Sequence, residues 1–119
     1  GDGYADFAVG APLVDNGQTD EGGVYVYLGG TTIPTSSNAF LESNQVSGFL
    51  GSSLAGGDIN GDGYSDVISG APGFDTPATN GGLAGVWFGT AGNTFEPSRD
   101  LSIQSSQVNA RLGTSVAFV

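Results

Sequence analysis

A twelve-residue block of this chain occurs twice. Gly1-Asp2-Gly3-Tyr4-Ala5-Asp6-Phe7-Ala8-Val9-Gly10-Ala11-Pro12 returns 60 positions later as Gly61-Asp62-Gly63-Tyr64-Ser65-Asp66-Val67-Ile68-Ser69-Gly70-Ala71-Pro72, with eight of twelve residues identical. A second block returns at an offset of 62: Gln45-Val46 through Leu50-Gly51-Ser52-Ser53-Leu54-Ala55 becomes Gln107-Val108 through Leu112-Gly113-Thr114-Ser115-Val116-Ala117. Between the blocks, Gly23-Val24-Tyr25-Val26-Tyr27-Leu28-Gly29 loosely matches Gly85-Val86-Trp87-Phe88-Gly89. Accidental identity in one block would not bring a second, aligned block with it. The chain therefore holds two units of about 60 residues, and its fold must repeat at that period.

Each unit reads as short strands. Val24–Leu28 and Val86–Phe88 are β-branched and aromatic runs flanked by glycine, the pattern of strands joined by tight turns. No segment keeps a 3.6-residue apolar period for three turns, so almost no helix is predicted. The spacing predicts strands near 50–56, 65–70, 84–89 and 100–105 in one unit, and near 5–10, 23–29 and 38–44 in the other, with a further strand near 112–118. Loops 13–22 and 73–83 are polar and carry Asn-Gly or Gly-Gly turn signals. Four strands per repeat at this period predict an all-β fold of β-propeller blades rather than a plain sandwich. Residues 1–48 would hold strands two to four of one blade, 49–106 a complete blade, and 107–119 the first strand of the next. Counterparts of Asp58, Ile59 and Asn60 fall between the last residue and the first. The chain is thus expected to be a segment of a larger ring, or else to join other copies head to tail.

Composition narrows the chemistry. The 119 residues carry twelve acidic side chains against two arginines, for a formal charge of −10, with no Lys, His or Cys. Nucleic acid and anionic membrane surfaces need basic residues, so neither is an expected partner. No run approaches the ~20 apolar residues of a membrane span, so no membrane insertion is expected. Disulfides, thiolate zinc sites, histidine bases, Schiff bases and P-loop chemistry are all ruled out by residue type. Oxygen donors remain, and these are the ligands of hard cations.

The donors concentrate in Asp58-Ile59-Asn60-Gly61-Asp62-Gly63-Tyr64-Ser65-Asp66. Side-chain oxygens fall at loop positions 1, 3, 5 and 9, with glycine at position 6. Alternate residues on a tightly curled backbone can aim at one point, and Gly63 tolerates the positive φ that such a turn demands. Asp58, Asn60, Asp62, the Tyr64 carbonyl and a bidentate Asp66 would supply six oxygens, within the six to eight that Ca2+ takes. Mg2+ suits the loop less, because it demands a tighter octahedron. The opening fits an EF-hand, but position 12 is Ser69 rather than Glu and the flanks are strand-like, so an EF-hand is rejected. The bland alternative is an Asx/Gly turn with solvated Asp residues. Against it, three carboxylates crowded within nine residues repel one another unless a cation is present. The first unit keeps only half of the loop, Asp2, Tyr4 and Asp6, and is expected to bind Ca2+ weakly or not at all.

The Asp58–Asp66 loop, with Leu50-Gly51-Ser52-Ser53 before it and Val67-Ile68-Ser69-Gly70-Ala71-Pro72 after it, resembles the FG-GAP repeat of integrin α subunits and related bacterial secreted proteins. Gly-Ala-Pro appears twice unaltered, whereas the Phe-Gly half reads Leu50-Gly51 and Leu112-Gly113. That exchange keeps an apolar residue before the glycine. The resemblance covers essentially the whole chain. It implies a propeller of about seven blades, with the acidic loop joining the innermost and second strands of a blade. No Arg-Gly-Asp is present, and no particular integrin-like protein is implied.

Three functional readings follow. The first is a non-catalytic, extracellular or cell-surface module for adhesion or ligand binding, with a protein or glycan on the propeller face, neighbouring blades as partners and Ca2+ in a structural role. The second is an accessory propeller of a secreted hydrolase. The third is a structural unit that assembles head to tail. Catalysis by the chain itself would have to come from carboxylates. Those outside the metal loops are Asp15, Asp20, Glu21, Glu42, Asp75, Glu96 and Asp100, and most read as solvated loop charge. Tyr4, Tyr25, Tyr27, Tyr64 and Trp87 could stack on sugars, but core packing is the stronger expectation for aromatics in strands.

Overall fold

Gly10 and Gly70 explain the Gly-Ala-Pro motif. In the computed structural model, which describes residues 2–75, 77–92 and 94–119, a Cβ at Gly10 would overlap the carbonyl of Gly51. One at Gly70 would overlap the carbonyl of Gly113 in the same way. Gly51 and Gly113 both sit at φ +89°, where a side chain is strained. Each Leu-Gly turn is therefore pressed against a Gly-Ala-Pro strand, backbone on backbone. Parallel bridges Gly22↔Leu50 and Gly82↔Leu112 hold the two turns in equivalent places.

Seven strands result: β1 Phe7–Ala11, β2 Gly23–Tyr27, β3 Ala39–Glu42, β4 Ser53–Gly57, β5 Asp66–Ala71, β6 Leu83–Trp87 and β7 Leu101–Gln104. No helix occurs among the described residues, and none is long and apolar enough to cross a membrane. The strands form two antiparallel sheets, β1-β2-β3 and β4-β5-β6-β7. Register repeats with the sequence: Phe7 pairs with Tyr27 as Val67 pairs with Trp87, and Ala11 pairs with Gly23 as Ala71 pairs with Leu83. These are blades of a β-propeller, one with three strands and one with four.

The strand expected over 112–118 is not formed. Leu112 makes its bridge to Gly82, but nothing among the described residues pairs with the segment beyond it. Its counterpart β4 owes its strand to β5, and a lone extended segment has no ladder to hold it. β4 itself starts three residues later than the predicted 50, because Leu50 and Gly51 form the turn. The first position of the repeat, Gly1, lies outside the described residues, as does Thr76 in the 73–83 loop.

One core joins both sheets: Val24, Val26, Leu41, Leu50, Val67, Ala71, Phe74, Leu83 and Trp87. Trp87 is fully buried, and its Nε1 donates to the Pro97 carbonyl at 3.4 Å. Tyr27 stacks on Phe7 at 4.8 Å, and Tyr25 packs on Phe40 at 4.7 Å. Trp87, Tyr25 and Tyr27 thus pack against the blades, as expected for aromatics in strands.

Candidate metal-binding loop

The loop from Asp58 to Asp66 leaves β4 and enters β5. Gly61 and Gly63 have φ of +78° and +89°, and a Cβ at either would meet nothing within 4 Å. Glycine is needed at these positions for conformation, not for space. Asp58 closes the curl. Its Oδ1 accepts the N–H groups of Gly61 (2.7 Å) and Asp62 (3.1 Å), and its Oδ2 accepts that of Gly63 (2.9 Å). Asn60 Oδ1 accepts from Asp62 N at 3.0 Å, while Asn60 Nδ2 donates to Asp62 Oδ2 at 2.8 Å. Asp62 Oδ1 in turn accepts from Tyr64 N at 2.8 Å. Asn60 and Asp62 make Asx turns in series, each fixing the backbone two residues ahead, and Asp58 reaches three to five residues ahead.

Asp66 differs in kind. It is 1% exposed, whereas Asp58, Asn60 and Asp62 are exposed and Tyr64 is half-buried. Its Oδ2 accepts from Ile59 N (2.7 Å) and its Oδ1 from Gly89 N (2.9 Å). The side chain thus latches the mouth of the loop to the end of β6. Gly89 is required there because a Cβ would overlap the Ser65 carbonyl.

The half loop keeps both devices. Asp2 Oδ1 accepts from Tyr4 N at 3.0 Å, as Asp62 does from Tyr64. Asp6 Oδ1 accepts from Gly29 N at 2.9 Å, as Asp66 does from Gly89. Gly3 has φ +92°, matching Gly63. Tyr4 is 48% exposed.

Asp58, Asn60 and Asp62 are brought together, and Asp66 anchors the base of the same loop. Yet no three acidic side chains among the described residues converge as a ready cage. The loop's carboxylates instead accept backbone N–H groups, Asp58 from Gly61, Asp62 and Gly63, Asp62 from Tyr64, and Asp66 from Ile59 and Gly89. The donor set itself fits a hard cation: every side chain offers oxygen, and neither arginine lies in the loop. Each engaged oxygen keeps a second lone-pair direction, so N–H bonding does not exhaust its capacity.

One acidic residue behaves unlike the solvated loop charge expected from sequence. Glu21 is fully buried, in the loop between β1 and β2. Its neighbours Asp20 and Gly22 carry an ordinary turn signature, so local sequence holds no sign of burial.

Comparison with known proteins bears on the whole chain. The family model described as FG-GAP repeat matches residues 1–27 and 50–87. The chain is 36% identical over 123 aligned residues to integrin alpha-5 of Xenopus laevis, covering 96% of this chain and 12% of that protein. It is 29% identical over 113 residues to phosphatidylinositol-glycan-specific phospholipase D of Homo sapiens, covering 92% of this chain and 13% of that protein. Integrin alpha-3 of Cricetulus griseus is 41% identical over 80 residues, covering 66% of this chain and 8% of that protein. The chain spans only 12–13% of the length of the first two relatives.

Proposed function

Since the chain belongs to the FG-GAP repeat family, we propose that it is a non-catalytic, calcium-binding propeller module of a secreted or cell-surface protein. It acts in adhesion or in binding a protein or glycan ligand. The observation that carries this reading is the Asp58–Asp66 loop. Three carboxylates and an amide oxygen are tethered on one curl of backbone with no cationic side chain to balance them. Ca2+ supplies positive charge and accepts oxygens in irregular geometry. Its role here is to tie the β4 and β5 ends together, with Asp58, Asn60, Asp62, the Tyr64 carbonyl and Asp66 as ligands. Neighbouring blades, from the same longer chain or from other copies, would flank the two sheets.

Chelation tests the reading. With a dissociation constant of ~0.1–1 mM and free calcium of ~1 mM, one site adds about 0.4–1.4 kcal/mol. The melting temperature should rise by about 2–8 °C between excess chelator and millimolar calcium. Asp62→Asn should abolish most of that rise. A melting curve indifferent to calcium would sink the proposal. A site of that affinity fills only at extracellular calcium levels.

A second reading has its own support. Phosphatidylinositol-glycan-specific phospholipase D aligns along 92% of the chain, which favours an accessory propeller in a hydrolase. The chain's own acids are mostly engaged as turn caps and latches, so on either reading these residues perform no catalysis. Turnover of a phosphodiester or glycoside panel by the purified chain would contradict that.

A further inference from the structure

Glu21 carries a puzzle of charge. Its Oε1 accepts the N–H of Asn16 at 2.7 Å and, at the long limit of 3.5 Å, that of Gln18. The carboxylate is thereby turned into the curl formed by residues 15–21. Its Oε2 is buried with no hydrogen-bond partner among the described residues, and the same is true of Oε1 of Gln18. One short loop thus holds two orphaned acceptors, one of them on a fully buried carboxylate. An unpartnered buried carboxylate oxygen is among the least favourable arrangements in a protein interior. The surroundings add negative charge. Asp15 caps Asp20 N at 2.7 Å in the same loop, and Glu42 Oε2 accepts from Asn16 Nδ2 at 2.6 Å. Arg99, whose hydrogen bonds go to the Ser43 carbonyl and Ser102 Oγ, is not aimed at Glu21.

A buried water could donate to Oε2 of Glu21 but would leave its charge unbalanced. A cation satisfies both demands. We propose that the 15–21 loop is a second cation site, taking a hard ion of the calcium class through Oε2 of Glu21 and Oε1 of Gln18. No three acidic side chains converge there, so main-chain carbonyls and water complete the shell, a mixed oxygen set that calcium accepts more readily than magnesium does. The site is separate from the Asp58–Asp66 loop. It joins the Ala11 end of β1 to the Gly23 end of β2, whereas the acidic loop enters β5 at the opposite end, Asp66. It is also peculiar to the first unit, because the positions equivalent to Glu21 and Gln18 are Gly81 and Ala78.

Equilibrium dialysis of the full chain with radiolabelled calcium tests the site. Glu21→Gln keeps the shape and the Oε1 acceptor, and should lose one calcium ion per chain. Gln18→Leu should weaken that same ion by roughly tenfold or more. Combined Asp58→Asn and Asp62→Asn should leave it in place. The proposal is overturned if Glu21→Gln binds as many ions as the unaltered chain, or if the double Asn variant binds none. Should Glu21→Gln fail to melt cooperatively, unchanged affinity in Gln18→Leu overturns it instead. Loss of no calcium in the double Asn variant would count against the Asp58–Asp66 loop alone.

Discussion

In the first unit Gly10 packs under the carbonyl of Gly51, and in the second Gly70 packs under that of Gly113. Both units share register, turn φ values and the Asp latch onto a glycine N–H. Burial separates them. Val67 is 7% exposed in β5, where β4 covers it, and its equivalent Phe7 is 47% exposed in β1, the edge of its sheet. The reverse holds at the other end of each sheet. Leu41 of β3 is fully buried in the shared core, whereas its equivalent Ile103 of β7 is 53% exposed. Backbone geometry in a repeat is thus set inside the unit, and burial is set by which neighbour lies alongside.

The largest test of that division is a methyl group. Gly70→Ala would drive a Cβ into the Gly113 backbone and within 2.5 Å of Ser53 Oγ. Backbone cannot swing away as a side chain can, so a loss of about 3 kcal/mol is expected. Gly10→Ala should cost a similar amount, because the same contact recurs against Gly51. Gly63→Ala meets no atom and should cost only the positive-φ strain, about 1 kcal/mol. Urea unfolding of the three variants checks the ranking. If Gly63→Ala proved as costly as Gly70→Ala, close backbone approach would not be what makes Gly-Ala-Pro obligatory.

A smaller contrast lies in the two latches. Asp66 is buried and accepts two N–H bonds, whereas Asp6 is half-buried and accepts one. Asparagine supplies one acceptor and turns an amide toward the second donor. Asp66→Asn should therefore lose about 2 kcal/mol and Asp6→Asn about 1 kcal/mol, read from chemical denaturation in chelator. Equal losses would show that the second N–H bond of Asp66, from Ile59, adds nothing to its anchoring.

Much of this was legible beforehand because the repeat prints the backbone rules twice. Glycines recur at 10 and 70, and at 51 and 113, where a Cβ would overlap the facing backbone. Strand positions and antiparallel register follow from the same spacing. Side-chain engagement was not legible. Asp58 and Asp66 look alike as letters, but one caps three exposed N–H groups and the other bridges β6 from a buried position. Glu21 reads as loop charge because burial there depends on residues far away in sequence, such as Ser43, whose Oγ donates to its carbonyl at 2.7 Å. The strand expected over 112–118 fails for a related reason, since strand character belongs to a pair and not to a segment.

The smallest effect separates two residues that share a backbone strain. Phe49 and Arg111 occupy equivalent positions before Leu-Gly, with φ of +57° and +55°. A non-glycine side chain in that region is unfavourable by about 1 kcal/mol. Arg111 is exposed and its side chain makes no described hydrogen bond, so Arg111→Gly should relieve strain and raise stability by roughly 0.5 kcal/mol. Phe49 is half-buried, with its ring against Gly73, where a Cβ would come within 2.6 Å of it. Phe49→Gly gains the same relief but gives up apolar burial of about 1–2 kcal/mol, and should be net destabilising. Opposite signs in the two melting temperatures would confirm that equivalent backbones carry unequal packing. Destabilisation in both would place the Arg111 stem among the groups that hold the turn.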